Sequence, residues 1–102
     1  MIVVRTVLQA KFGTGGKLAA SFSETSVAMM AELGKPRRWR VLTDLSGPFD
    51  TIVQEVEVES LAEWETFRVK LFELAAFRDS MATMQELVLS GHNEYWTIEA
   101  EG

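Results

Sequence analysis

The sequence predicts an α+β fold in which helices cover one face of a four-stranded antiparallel sheet, on three observations. Residues 51–59 alternate apolar and acidic side chains with the period of a β-strand. Segments 16–33 and 60–87 repeat apolar residues at helical spacing. Strand-like segments precede the first helix, follow it and close the chain. The order is therefore strand, helix, strand, strand, helix, strand, which is the split βαβ or ferredoxin-like order.

The composition indicates a single domain over residues 1–102 and limits its chemistry. With 47% hydrophobic residues, a chain of 102 residues can bury a core of its own. The absence of Cys excludes disulfides and thiolate metal sites, and a single His excludes a His-based metal cluster within one subunit. We therefore predict no metal and no cofactor.

The net charge of −5 argues against nucleic-acid binding, since neutralising phosphates requires clustered Lys and Arg. Residues 1–49 carry seven bases and three acids, whereas residues 50–102 carry three bases and twelve acids. These halves can neutralise each other within the fold or across a dimer, and most of the charges are expected to lie on the solvated surface. Arg5 interrupts any signal-peptide pattern and no apolar run reaches membrane-spanning length, so we expect a cytoplasmic protein without membrane contact.

The first predicted strand, residues 2–10, is followed by a glycine-rich turn over residues 13–16. Such a turn between a strand and a helix can offer backbone N–H groups to an anion. Its spacing fits neither the P-loop nor the dinucleotide-binding fingerprint. An ordinary connection is therefore the favoured interpretation, and it leads into a helix over 16–33 that ends at Gly34 and Pro36.

The middle of the chain is predicted to form a hairpin followed by a helix. Strands 37–45 and 51–59 are expected to pair in antiparallel fashion across the turn at 46–50. Ser60 then begins the second helix as its N-cap, and Glu63, three residues later, completes a capping box.

The second helix is predicted to continue to Leu87, with a kink near Ala75 and Ala76. The last strand is predicted over residues 89–99. Gly91 is the expected place of a β-bulge in that strand, because glycine within a strand often marks one.

Right-handed crossovers predict that the first and third strands lie in the middle of the sheet and that both helices cover one face. On the last strand, Trp96 and Ile98 share a face with His92 and Glu94, and Trp96 and Ile98 are expected on the face that the helices cover. The face away from the helices is predicted to mix valines with charges of opposite sign: Val3, Arg5, Val7, Gln9, Arg38, Arg40, Leu42, Asp44, Val53, Glu55, Glu57, Asn93, Tyr95 and Thr97. A face this apolar favours pairing with a second copy, which would close a dimeric α/β barrel.

Two segments, 60–67 at the start of the second helix and 94–99 at the end of the chain, carry a family resemblance together with the element order. The chain resembles the dimeric α/β-barrel superfamily, especially its small NIPSNAP-like members. That superfamily also includes antibiotic-biosynthesis monooxygenases, haem-degrading enzymes, muconolactone isomerases and stress-responsive barrel proteins. The resemblance implies a homodimer with a pocket and leaves the activity open.

The first functional hypothesis is a homodimer that binds a small organic molecule in the barrel or in a cleft between sheet and helices. Small-molecule sites combine a few polar groups with apolar walls. Arg68 falls on the apolar face of the second helix, where it can hold an anion or extend past its neighbours to water. The alternative for all the candidate charges is a set of structural ion pairs. The candidate lining residues are Arg5, Arg40, Glu55, Glu57, Arg68 and Tyr95.

The second hypothesis is a cofactor-independent monooxygenase or isomerase. His92 is the candidate acid or base because histidine changes charge near neutral pH, and Glu55 or Glu57 could serve if burial keeps one protonated. The resemblance to haem-degrading members calls for an Asn, a Trp and a His around the porphyrin. Here Asn93 stands beside His92 on one strand, which argues against haem chemistry.

The third hypothesis is an assembly module whose barrel face serves only to join subunits. The third hypothesis can be distinguished from the first by whether a small molecule stays bound to the purified protein. A pocket protein is expected to carry a bound small molecule, and an assembly module is not.

Overall fold

The computed structural model describes residues 1–33 and 38–102. The predicted order of elements is confirmed, with the second predicted helix divided in two. The predicted end of the first helix at Gly34 and Pro36, and the predicted start of the second strand at Arg37, lie outside the described residues. The strands and helices are β1 (Ile2–Ala10), α1 (Gly15–Leu33), β2 (Trp39–Thr43), β3 (Thr51–Val58), α2 (Leu61–Glu73), α3 (Ala75–Leu87) and β4 (Val88–Thr97).

The strands form one sheet in the order β2-β3-β1-β4, with every pairing antiparallel. This confirms that the first and third strands are the central ones. The helices pack on one face of the sheet, so the molecule is a two-layer slab measuring 35 × 33 × 19 Å. The other face of the sheet has no second layer within the described residues.

The core lies between the sheet and the helices and has two parts. Alternate residues of β1 and β3 point toward the helices, as their apolar alternation predicts. One part consists of Val4, Met29, Val56, Val58, Trp64, Phe67 and Leu71. The other consists of Leu8, Ala10, Leu18, Phe22, Ile52 and Leu87.

The second helical segment begins at the predicted N-cap and is interrupted at Leu74. The Glu63 backbone N–H donates to Ser60 Oγ at 3.1 Å, as predicted, whereas Glu63 Oε2 accepts at 3.4 Å from the N–H of Glu59, one residue before the N–H that a capping box uses. Leu74 adopts an extended conformation, with φ −82° and ψ 133°, and serves as the C-cap of α2 and the N-cap of α3. The predicted kink near Ala75 and Ala76 is therefore a full break one residue earlier.

The glycine-rich turn before α1 is held by a carboxylate of the chain itself. Asp50 Oδ2 accepts from the Gly13 N–H at 2.8 Å, and Asp50 Oδ1 accepts from the Gly15 N–H at 2.9 Å. A side chain at Gly15 would place its Cβ 2.7 Å from Asp50 Oδ1, so glycine is required there. Because Asp50 already occupies these donors, the turn is the ordinary connection that its spacing favoured.

The last strand differs from the prediction in which side chains face the helices. Its register pairs Val3 with Trp96 and Arg5 with Glu94, so Trp96 and Glu94 point away from the helices. The expectation that Trp96 and Ile98 share the covered face is therefore wrong for Trp96. The expectation that Asn93, Tyr95 and Thr97 face away from the helices is also wrong, since they lie opposite Thr6, Val4 and Ile2.

The physical reason for this reversal is the position of Gly91. Gly91 lies opposite Leu8, whose side chain is buried under the helices, and a Cβ at Gly91 would come within 2.5 Å of Leu8 Cδ2. Only glycine fits on that crowded side, and alternation then places Asn93 and Tyr95 on the same side. The bulge itself is at Leu89, because Gln9 pairs with Ser90 and Ala10 pairs with Val88.

Candidate functional site

The face of the sheet away from the helices, which we call the open face, gathers most of the paired charges of the described chain. It combines apolar side chains with carboxylates, guanidinium groups and the single histidine. Its members are Val3, Arg5, Val7, Gln9, Arg40, Leu42, Thr51, Val53, Glu55, Glu57, Ser90, His92, Glu94 and Trp96.

Four side chains form a continuous chain of ion pairs across all four strands. Arg5 and Arg40 both approach Glu55: Arg5 Nε lies 3.0 Å from Glu55 Oε2, and Arg40 Nε lies 2.5 Å from Glu55 Oε1. On its other side, Arg5 Nη1 donates to Glu94 Oε1 at 3.3 Å. The register explains this alignment, because Glu55 lies opposite both arginines and Glu94 lies opposite Arg5.

Glu94 also holds two neighbours on its own strand. His92 Nε2 lies 2.8 Å from Glu94 Oε2, and Trp96 Nε1 donates to Glu94 Oε1 at 3.0 Å. Residues two apart on a strand share a face, so both side chains reach the carboxylate between them. The hydrogen bond with His92, that with Trp96 and the charge of Arg5 lower the pKa of Glu94 below its ordinary value.

A separate ion pair lies two residues along β3. Arg38 Nε is 3.4 Å from Glu57 Oε2, and the Arg38 side chain is largely exposed. Because Glu57 alternates with Glu55, both carboxylates reach the open face and each finds a guanidinium group on β2 or just before it.

A cleft of about 230 Å³ lies at the end of the open face farthest from Trp96, between β1, β4 and the turn that joins β2 to β3. Its walls combine apolar groups with hydroxyl, amide and imidazole groups. The residues that line it are Val7, Leu8, Gln9, Pro48, Thr51, Ser90, Gly91 and His92. A larger groove of about 380 Å³ lies between α1 and α3, away from the ion pairs, and is lined by small and acidic residues.

The structure brings together only some of the residues proposed from the sequence. Arg5, Arg40 and Glu55 are in direct contact, and His92 joins them through Glu94. Glu57 lies on the same face in its own ion pair.

Tyr95 and Arg68 lie apart from this group. Tyr95 projects from the helix-facing side of β4. Arg68 is on α2, where its Nη1 donates to Glu65 Oε1 at 3.1 Å on the surface of its own helix. Neither residue can share a ligand with the open face of the same subunit.

Sequence reasoning missed Glu94 and Trp96 as members of the charged group. The alternation did place His92, Glu94 and Trp96 on one face of the last strand, but it assigned that face to the helices. The signal that could have found them is Gly91, whose missing side chain marks the crowded side of the strand.

Within residues 1–33 and 38–102, no three His, Asp or Glu side chains gather closely enough to hold a metal ion. Over the same ranges, no helix combines the length and the apolar character needed to cross a membrane.

Solved structures with this fold include two groups of proteins. An uncharacterized NIPSNAP domain protein from Burkholderia xenovorans superimposes with a TM-score of 0.82 at 12% identity, covering 100% of this chain and 98% of that one. A NIPSNAP family protein from Agrobacterium tumefaciens gives 0.78 at 18% identity, covering 94% and 90%. A "putative Antibiotic biosynthesis monooxygenase" from Chloroflexus aurantiacus gives 0.72 at 16% identity, covering 99% and 96%.

These likenesses confirm the predicted resemblance at the level of the fold. No protein-family model matches the chain, and no curated protein matches it in sequence. The chain therefore has the α+β fold of NIPSNAP and monooxygenase-like proteins.

Proposed function

We propose that the chain forms a homodimer through its open face and binds a small organic molecule there, between the two copies. The observation that carries this proposal is the chain of ion pairs from Arg40 to Glu94, set among apolar side chains on a face without a covering layer in the described structure. Polar groups among apolar walls are the usual composition of a small-molecule site.

A second copy is the favoured cover because the open face is self-complementary in its apolar surface and in its charges. Leu42, Val53 and Val7 lie side by side across β2, β3 and β1 and form an apolar row. Three arginines and three glutamates are paired on or beside the face, so two copies meet without net repulsion. Four strands at ~4.8 Å spacing, each about eight residues at ~3.4 Å rise, give roughly 500 Å² in projection.

That projected area is a lower bound on the accessible surface that a dimer would bury. A stable interface buries roughly 800 Å² of accessible surface per partner, and protruding side chains raise the accessible area above the projection. The flat slab, 19 Å thick, would become a four-layer particle with both sheets inside.

The ligand part of the proposal is supported by the mixed chemistry of the face and by its clefts. The 230 Å³ cleft beside His92 is smaller than most ligand pockets, which range from ~300 to 1,000 Å³. A second copy laid over the face would add walls to it. The Chloroflexus aurantiacus protein of the same fold is named a "putative Antibiotic biosynthesis monooxygenase", and that name supports a ligand site in this fold.

Native mass spectrometry of the freshly purified protein tests both parts in one spectrum. We expect a dimer that carries additional mass, which would give the formula of the bound molecule. Val53→Arg, which places a charge in the apolar row, should produce monomers that keep their circular dichroism spectrum. Val69→Arg, at an exposed position on α2, is the matched control and should remain dimeric.

A monomer at micromolar concentration would overturn the proposal. A bare dimer would favour the assembly module, in which the ion pairs serve only to join the sheets. Replacing Arg40 and Glu55 together separates these two roles. A dimer that no longer retains the ligand supports a binding site, whereas loss of the dimer supports structural ion pairs.

A further inference from the structure

The single histidine of the chain is held by a carboxylate and borders a cleft. His92 Nε2 lies 2.8 Å from Glu94 Oε2, and the imidazole lines the 230 Å³ cleft between β1, β4 and the β2–β3 turn. This arrangement, a base candidate oriented by a third group beside an open space, is the geometry that acid–base chemistry requires. Glu94 was absent from the residues that the sequence identified.

The contact with Glu94 determines which ring nitrogen of His92 is basic. A glutamate carboxyl group is ionised at neutral pH, and the neighbours of Glu94 lower its pKa further, so this carboxylate can only accept hydrogen bonds. Nε2 must therefore carry the hydrogen in the neutral imidazole. The lone pair is then on Nδ1, which is the nitrogen able to take a proton.

The cleft offers one free hydroxyl and two occupied polar groups. Thr51 Oγ1 donates to Gln9 Oε1 at 3.1 Å, and Gln9 Nε2 donates to the Phe49 carbonyl, so these two side chains already have partners. Within the described residues, Ser90 Oγ makes no hydrogen bond to the protein. Ser90 and His92 alternate on β4 and face the same side, about 7 Å apart along the strand.

The charge around the cleft favours a neutral ligand. The nearest arginine, Arg5, is shared between Glu55 and Glu94, and Glu94 itself lies against His92. Within the described residues, the arginines on this part of the open face are all paired with carboxylates, so none of them is left to bind an anionic group. Val7 and Pro48 supply apolar walls for a carbon skeleton.

We infer that His92 is the general base for the tautomerisation of a small uncharged carbonyl compound bound in this cleft. The inference rests on the proposed small-molecule site and specifies its substrate class. It adds a reaction to a site proposed above only for binding.

The proton transfer is balanced without any further reactant. His92 Nδ1 takes a proton from the carbon next to the carbonyl, and the C–H electron pair forms the carbon–carbon double bond while the carbonyl pair moves to oxygen. The Ser90 hydroxyl donates a hydrogen bond to that oxygen. The imidazolium then returns the proton to the oxygen or to another carbon, which gives the isomer and restores the neutral base.

Glu94 acts in this scheme as a positioning residue. It fixes the tautomer of His92 and stabilises the imidazolium that forms, and it does not touch the substrate. Its role is separable from packing because the ¹⁵N chemical shifts of the His92 ring report the tautomer directly. The full-length protein should show Nε2–H in wild type and a mixture of tautomers in Glu94→Gln.

Hydrogen–deuterium exchange at the α-carbon of two neutral ketones, cyclohexanone and 2-tetralone, tests the reaction in D₂O by ¹H NMR. We expect wild type to accelerate exchange over buffer and His92→Ala to lose about 10²-fold or more, which is the usual contribution of a general base. Ser90→Ala and Glu94→Gln should each give intermediate rates. Thr97→Ala, on the opposite side of the same strand, should exchange at the wild-type rate.

Equal exchange rates for wild type and His92→Ala with both ketones would overturn the inference. So would a Glu94→Gln variant whose tautomer and exchange rate match wild type. A dimer that retains a ligand in native mass spectrometry, yet shows no excess over His92→Ala, would keep the binding function and remove the base. A monomer with His92-dependent exchange would keep the base and remove the proposed dimer.

Discussion

Arg5 has a carboxylate partner on each side, and the two sides differ. Toward β3, Glu55 is 12% exposed and lies between two guanidinium groups. Toward β4, Glu94 is 30% exposed and is shared by one guanidinium, one imidazole and one indole group. Both partners of Glu55 are guanidinium groups, whereas one partner of Glu94 is an imidazole, the side-chain type that most often accepts and donates protons in catalysis. From this difference we predict that the contacts with Glu55 contribute more to stability than those with Glu94, and the proposed proton transfer uses the Glu94 side.

The largest loss of stability should come from removing Glu55, the partner of Arg5 on β3. Glu55→Ala removes a largely buried carboxylate and leaves Arg5 and Arg40, which both reach water, without their shared partner. We expect the free energy of unfolding to fall by about 2 kcal/mol, because contacts between a shielded carboxylate and two charged groups are lost. Urea denaturation at one fixed protein concentration measures it.

Two further variants make that measurement decisive. Glu94→Ala should cost less than Glu55→Ala, because its site is more open to water. Glu99→Ala, an exposed position beyond the end of β4, should change stability little. If Glu94→Ala destabilises the protein as much as Glu55→Ala does, Glu55 does not contribute more to stability than Glu94.

Displacing β4 should weaken the contact between Arg5 and Glu94 and leave the contact between Arg5 and Glu55 intact. A methyl group at Gly91 would meet Leu8 Cδ2 at 2.5 Å and the Val7 carbonyl oxygen at 3.1 Å. We expect Gly91→Ala to cost about 1 to 2 kcal/mol through overpacking. It should also weaken the contact between Arg5 and Glu94, leaving Arg5 and Glu55 in place.

Gly16→Ala is the matched control for that experiment, since a Cβ there meets nothing within 4 Å. It should leave stability unchanged or raise it slightly through better helix propensity. Backbone amide chemical shifts follow the strands individually. Shifts concentrated on β3 rather than β4 in Gly91→Ala would contradict the assignment of Gly91 to the register of the last strand.

Double-mutant cycles measure the coupling energy of Arg5 with each of its two carboxylate partners without disturbing the backbone. The coupling between Arg5 and Glu55 should be about 1 kcal/mol, as for contacting residues in one ion-pair network. The coupling between Arg5 and Glu94 should be smaller and should fall further in 0.5 M NaCl, because the more exposed pair is screened. A larger coupling of Arg5 with Glu94 than with Glu55 would contradict the prediction that Glu55 contributes more to stability.

The faces of β1 and β3 could be assigned from the sequence, whereas the face of β4 could not. The alternation of Glu55 and Glu57 with buried Val56 and Val58 defines both the period and the face of β3, because only one side is apolar. Arg5 follows in the same way on β1. The ion pairs between β1, β2 and β3 could therefore be predicted from the sequence.

On β4 the alternation defines the period alone, since both sides mix polar and aromatic groups. Its face is determined by the contact of Gly91 with Leu8, which joins residues far apart in the chain. A local pattern cannot show such a contact, so Glu94 and Trp96 were assigned to the helices. The break at Leu74 was missed by one residue for a similar reason, since Leu74 packs at the edge of the core where two short helices meet.

The smallest effect we predict is the contribution of Glu94 to stability in acid. The hydrogen bond with His92, that with Trp96 and the charge of Arg5 lower the pKa of Glu94 in the folded state below its ordinary value of 4.5. A carboxyl group of this kind stabilises the fold above its unfolded-state pKa, and that contribution is lost as the pH falls through the lowered value. Wild type should therefore lose stability below about pH 4.5 more steeply than Glu94→Gln.

Thermal unfolding followed from pH 6 to pH 3 measures this difference. The melting temperatures of wild type and Glu94→Gln should differ most at the upper end of that range and converge at the lower end. Glu99→Gln removes an exposed carboxylate outside the ion-pair chain, and its curve should run parallel to wild type. If Glu94→Gln also runs parallel to wild type, the hydrogen bonds from His92 and Trp96 do not hold the carboxylate in solution, and Glu94 cannot fix the tautomer of His92 either.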